Sequence, residues 1–132
     1  MAIITALYAS IIVLIAGILA WRVIKTRQSQ GVGIGDGGND RLIRRMRSQA
    51  NLLEMALPIL LLMLLMELNG MPGWILHLIG IAVTVSRVLH PIGMENRYPN
   101  LPLRVGSSVI GMTLLFVCPI LLLGHTAMSA LL

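Results

Sequence analysis

The residues able to do chemistry sit on short stretches of an otherwise apolar sequence. Arg44, Arg47, Asn51, Glu54 and Pro58 follow one another at spacings of three, four, three and four. At about 100° per residue on a helix they fall within an arc of roughly 80°. A basic, an amide and an acidic group thus share one face, while Arg45 and Gln49 point elsewhere. Arg87 and His90 are three apart, and Arg104 and Ser108 are four apart. If the helices carrying these groups pack together, their polar faces converge at one depth. Such a set offers several guanidinium donors, one carboxylate and one amide. Arginine grips carboxylates through two parallel hydrogen bonds, and Glu54 would pair with an ammonium. That suits a small charged ligand carrying both carboxylates and an amine.

Plainer readings stand beside this one. Arg44 and Arg47 could anchor in lipid headgroups. Glu54 could neutralise Arg47, two turns earlier, or an arginine on a neighbouring helix. His90, just before Pro91, reads most simply as a hydrogen-bonded structural residue. His77 and His125 lie far from it along the chain and share no ligand spacing with it, so no metal site is expected. Cys118, the single cysteine, excludes an intrachain disulfide and reads as a small core residue. Gly33, Gly35 and Gly38 match a dinucleotide-binding pattern. That pattern works only between a strand and a helix, and here an apolar helix precedes it.

The elements that must position these groups follow from composition. The chain has 132 residues, 57% apolar and 11% charged, with a mean hydropathy of +0.89. A soluble domain of this length needs more polar surface. The expected fold is one all-α integral membrane domain over residues 1–132, a bundle of four helices of about 20 apolar residues or more each. Helix one is expected at about 2–24, helix two at 41–68, helix three at 74–94 and helix four at 103–131. The first apolar run lacks a basic start and ends at Trp21-Arg22, so it reads as a retained helix and not a signal peptide. The polar stretch 25–40 and the segment 95–102, with Asn96, Pro99 and Asn100, are expected to be loops.

A formal charge of +5 could suggest nucleic acid, but aromatic residues are only 4% and the basic residues border apolar helices. Seven of the ten Lys and Arg residues lie between Arg22 and Arg47, and the others are Arg87, Arg97 and Arg104. Basic loops stay in the cytoplasm. Both termini are therefore expected outside, with both long loops inside.

The run from Arg47 to Pro58 resembles the signature RxxxNxxExxxP in helix two of the MAPEG family, the membrane-associated proteins of eicosanoid and glutathione metabolism. Gly35-Asp36-Gly37-Gly38 is similar to the GDGG of bacterial members, and Ser86 to His90 resembles their helix-three stretch. The likeness covers essentially the whole chain. It implies a homotrimer in the bacterial inner (cytoplasmic) membrane, with glutathione as co-substrate between subunits near the cytoplasmic side. Matched residue by residue, Arg47, Asn51 and Glu54 are implied glutathione contacts. Gln49 is implied to reach glutathione across the interface, and Arg27 or Lys25 to serve a neighbouring site. Arg87 and His90 fall at polar positions facing the site. Arg104 matches the helix-four arginine that stabilises the glutathione thiolate, so the catalytic role falls to it.

The implied activity is a glutathione transferase or peroxidase acting on hydrophobic electrophiles or lipid hydroperoxides. The sequence also departs from the family pattern. Met94, Met55 and Ser108 stand where many or some members carry tyrosine or another aromatic, and Tyr98 could substitute from the loop. These departures favour an alternative, a catalytically silent binding or structural protein on the same fold. A small multidrug transporter is the third reading. That family places its essential glutamate in helix one, where this chain has no acid; Glu54 and Glu67 both lie near the ends of helix two.

Overall fold

The structure is a computed structural model describing residues 1–131 except Arg97 and Pro99. Arg97, counted among the basic residues, and Pro99, read as a turn former, lie outside the described residues. Four helices follow in order: α1 (Ile3–Gln30), α2 (Asp40–Leu68), α3 (Gly73–Met94) and α4 (Leu101–Leu131). All four are long and apolar enough to cross a membrane.

The largest departure from the expected boundaries is at the end of α1. The chain stays helical through Lys25, Thr26, Arg27, Gln28, Ser29 and Gln30, where polarity predicts a loop. Polarity marks where the helix can meet water; it does not mark where the helix ends. Lysine, arginine and glutamine are good helix formers. The stop comes at Gly31, whose φ of 64° is left-handed. There the Val32 N–H donates back to the Arg27 carbonyl at 3.0 Å, closing the last turn. The remaining loop hands over to α2 through Asn39, whose side chain accepts the Leu42 N–H at 3.0 Å. The glycine pattern at 33–38 thus lies between two helices with no strand before it, and nucleotide binding has no support there.

α2 and α3 form the middle of the bundle. α1 packs on both, α4 packs on both, and α1 and α4 make no mutual contact among the described residues. The core is built from Ile12, Leu52, Ile59, Met63, Leu76, Val83 and Cys118, all fully buried. Burying each large side chain of this kind contributes about 1.5–3 kcal/mol in water; inside a bilayer close packing takes over that role. Cys118 is the small core residue its sequence setting suggests. Only 17% of the most apolar stretch of α4 is buried, against 44% for α3. The outer helices therefore present apolar faces that lipid or further protein must cover.

One acid organises the uncharged end. Glu67, near the end of α2, accepts the Ile4 and Thr5 N–H groups at 2.8 and 2.7 Å. These are the first donors of α1, which has no capping side chain of its own. A carboxylate there also favours the positive end of the helix dipole. Replacing Glu67 by Ala should cost about 1–2 kcal/mol and fray the first turn of α1. Faster hydrogen exchange at Ile4 and Thr5 is the check; unchanged protection would contradict the cap.

Candidate functional site

At the other end of the bundle, α2, α3 and α4 line an open cavity of about 260 Å³. α2 contributes Arg47, Ala50, Asn51 and Glu54, successive members of its polar stripe and the small residue beside it. α3 adds His90 and Met94, and α4 adds Arg104 and Ser108. The three polar faces named from spacing do converge at one depth.

The charges in this cavity are not spent on one another. Every ion pair among the described residues converges on Glu95, and none involves Arg47, Glu54 or Arg104. The Arg47, Glu54 and Arg104 side chains make no hydrogen bond to a described residue either. Neutralisation of Glu54 by Arg47 or by a neighbouring helix, the plainer reading, does not occur among the described residues. Two guanidiniums and one carboxylate are therefore left without a partner among the described residues.

His90 is held by α4. Its Nδ1 lies 3.3 Å from both the Ser107 and the Ser108 hydroxyl. Each hydroxyl also donates to the Arg104 carbonyl at 2.9 Å. A hydroxyl has one proton to give. With both protons assigned to that carbonyl, the two hydroxyls can only accept from Nδ1. His90 is thus both the hydrogen-bonded structural residue of the plain reading and part of the cavity wall.

Arg87 does not line the cavity; it stands behind it. Its side chain is 0% exposed. One guanidinium nitrogen donates to the Asn51 Oδ1 at 2.5 Å and the other to the Ser107 carbonyl at 3.1 Å, while Nε donates to the Ser86 hydroxyl at 3.2 Å. Helix-face arithmetic puts Arg87 beside His90, but its long side chain turns inward to the seam between α2 and α4. Its observed role is to fix the amide of Asn51. Gly111 makes room for it, since a Cβ there would lie 2.8 Å from Arg87 Nη2. Gly111→Ala should displace the guanidinium and cost about 1–3 kcal/mol. Thermal unfolding of the purified variant tests this, and an unshifted transition would show that Arg87 can yield freely.

Gln49 and Arg27 also lie off this cavity. Gln49 is half-buried on another face of α2. Arg27 donates to Met46 Sδ at 3.4 Å and to the Gly33 carbonyl at 3.5 Å. It borders a separate cleft of about 390 Å³ along the glycine loop. Tyr98 is 84% exposed and is not part of the cavity wall. No group of three His, Cys, Asp or Glu side chains is close enough to hold a metal among the described residues.

Beside the polar cavity, α4 presents a shallow, open apolar face formed by Leu101, Val105, Val109 and Met112. It shares Arg104 and Ser108 with the cavity. A charged pocket and an apolar helix face therefore meet at Arg104.

Sequence reasoning missed Glu95. Its carboxylate accepts from Arg22 of α1 and from Arg45 and Arg41 of α2, the last two at 2.5 and 3.4 Å. Arg45 also donates to the Thr26 hydroxyl at 2.7 Å. Partial burial works against the Glu95 charge, but the Arg45 hydrogen bond and the Arg22 and Arg45 charges hold its carboxyl below the ordinary 4.5. The stabilisation it supplies is present above 4.5 and is lost as pH falls through the lowered value. The signal was there in part, because Arg45 was seen to leave the stripe.

The fold and this set of residues define a four-helix membrane protein of the MAPEG family. The family model matches residues 5–127, and the chain belongs to that family. It is 33% identical over 94 residues to the inner membrane protein YecN of Escherichia coli K12, covering 71% of this chain and 72% of that protein. YecN of E. coli O6:H1 matches to the same extent. No solved structure matches the chain.

Proposed function

We propose that this protein binds glutathione in the α2–α4 cavity and uses it to attack hydrophobic electrophiles or lipid hydroperoxides. The observation that carries the reading is the trio Arg47, Glu54 and Arg104, which shares one cavity without any internal ion pair. Its single excess positive charge complements glutathione, which has two carboxylates and one ammonium. Arg47 holds a carboxylate, Glu54 the ammonium, and Asn51, steadied by Arg87, the peptide backbone of the ligand. Arg104 faces the sulfur. A free thiol ionises near pH 8.5, and a guanidinium beside the sulfur lowers that value. The thiolate then attacks a co-substrate lying against the apolar face that shares Arg104. With an electrophile, the C–S bond forms as the leaving group departs as its anion. With a hydroperoxide, the O–O bond breaks, giving the alcohol and a glutathione sulfenic acid that a second glutathione converts to the disulfide and water.

The reading includes a homotrimer in the inner membrane with both termini outside. The apolar outer faces of α1 and α4 would supply its interfaces, and Arg27 and Gln49 would meet glutathione from a neighbouring subunit. A second reading is a binding protein without turnover. Met94, in the cavity wall where many relatives carry tyrosine, is the observation that favours it. The test is to titrate glutathione into the purified protein and follow thiolate absorbance. Saturable growth of the thiolate band, lost in Arg104→Ala, is expected. Absence of binding, or a band unchanged by the substitution, would remove the mechanism.

A further inference from the structure

The two charged walls of the cavity are carried by different helices, Arg47 by α2 and Arg104 by α4. Something must set the distance between them. One tie is Arg87, already described. The other lies at the very end of the bundle. Glu95, at the C-terminus of α3, is gripped by Arg22 from α1 and by Arg41 and Arg45 from α2. The knot is tight: the space among Leu19, Arg22, Arg45, Ser48 and Glu95 has no room for a water molecule.

Two residues before Glu95, the chain touches α4. The Gly93 carbonyl accepts the Asn100 N–H at 3.0 Å, and the Asn100 carbonyl accepts the Arg104 N–H at 3.0 Å. The Asn100 side chain accepts the Leu103 N–H at 3.3 Å. Gly93 also packs directly on Arg104, whose backbone nitrogen would be 2.8 Å from a Cβ at that position. A short relay therefore runs from the arginines of α1 and α2, through Glu95 and Gly93, to the backbone of Arg104.

We infer that Glu95 is a positioning residue for the glutathione site: by clamping the end of α3 to α1 and α2, it fixes where Arg104 stands opposite Arg47. The inference rests on the glutathione reading for its chemistry, but the clamp itself is a matter of geometry. A carboxylate shared by three guanidiniums holds three elements with one side chain, and a partly buried pair is screened less than a surface one. Glu95 does not line the cavity, although its chain neighbour Met94 does, so its effect on the ligand is indirect. Displacements of an ångström at a reacting group can change rates by large factors.

The test uses Glu95→Gln in the full-length protein, with two readouts. Hydrogen exchange should show lost protection at Leu103 and Arg104, with the middle of α1 and α2 unchanged. Glutathione should bind about ten-fold more weakly, and the thiolate band should shrink at saturating ligand. Intact protection at Leu103 and Arg104 would overturn the clamp. Lost protection with unchanged affinity and thiolate band would overturn the positioning role. Should the wild-type protein bind no glutathione, the functional reading falls, and the exchange data alone still decide the clamp. If Glu95→Gln does not fold, Arg22→Gln removes one of the three donors and is expected to give the same pattern at roughly three-fold.

Discussion

Arg104→Ala is expected to lower glutathione conjugation roughly 25-fold or more at pH 7, with little change in stability. The first part follows from ionisation. A thiol with pKa near 8.5 is about 3% ionised at pH 7, and lowering that pKa by about two units raises the fraction to about three quarters. Losing the guanidinium would return the thiol to its ordinary state. The second part follows from the structure. The Arg104 side chain is exposed and bonds to no described residue, and substitutions at such positions usually change stability by less than about 0.5 kcal/mol. Arg47, Asn51 and Glu54 remain, so glutathione should still bind within a few-fold. The measurements are kcat/KM with a hydrophobic electrophile, glutathione affinity, and unfolding temperature. A loss of affinity as large as the loss of rate would instead make Arg104 a carboxylate ligand.

The arginine at Arg87 is predicted to behave in the opposite way, with the conservative substitution the more damaging one. Arg87→Lys should cost about 3 kcal/mol of stability. Lysine keeps the buried charge but lacks the planar fork that reaches Asn51, Ser86 and Ser107 at once. Hydrogen bonds from charged donors contribute about 1.5–3 kcal/mol each, and at least one of these would be lost with nothing to replace it. Arg87→Met removes the same bonds but also removes the buried charge, so the desolvation cost goes with it. It should be the milder variant for folding. Both should weaken glutathione binding, because the Asn51 amide loses its anchor. Unfolding of the two variants in detergent decides the order. Normal stability in both, with binding abolished, would restore Arg87 as a direct ligand contact.

The contrast between Arg87 and Arg104 shows what the sequence could convey. Four helices were legible because each apolar run matches the bilayer thickness. The stripe Arg47, Asn51 and Glu54 was legible because helical period alone puts those residues on one face. Arg104 and His90 joined them because their helices pack at the same end. Arg87 has the same spacing credentials, yet its guanidinium turns inward. Period tells which face of its own helix a residue occupies, and not which way a long, flexible side chain goes. Glu95 escaped notice for a related reason. Its partners Arg22, Arg41 and Arg45 are 73, 54 and 50 positions away, and no local pattern connects them. The helical turn beyond Ile24 was missed because polarity was taken as a helix end, when only Gly31 supplies one.

The central claim is that the cavity between α2 and α4 holds glutathione with its sulfur at Arg104. The most direct measurement is a structure of the protein in bilayer-like lipid with glutathione bound. The prediction is a ligand carboxylate on Arg47, the ammonium on Glu54, and the sulfur within hydrogen-bonding distance of the Arg104 guanidinium. Glutathione lodged elsewhere, or lying in this cavity with its sulfur turned away from Arg104, would contradict the account.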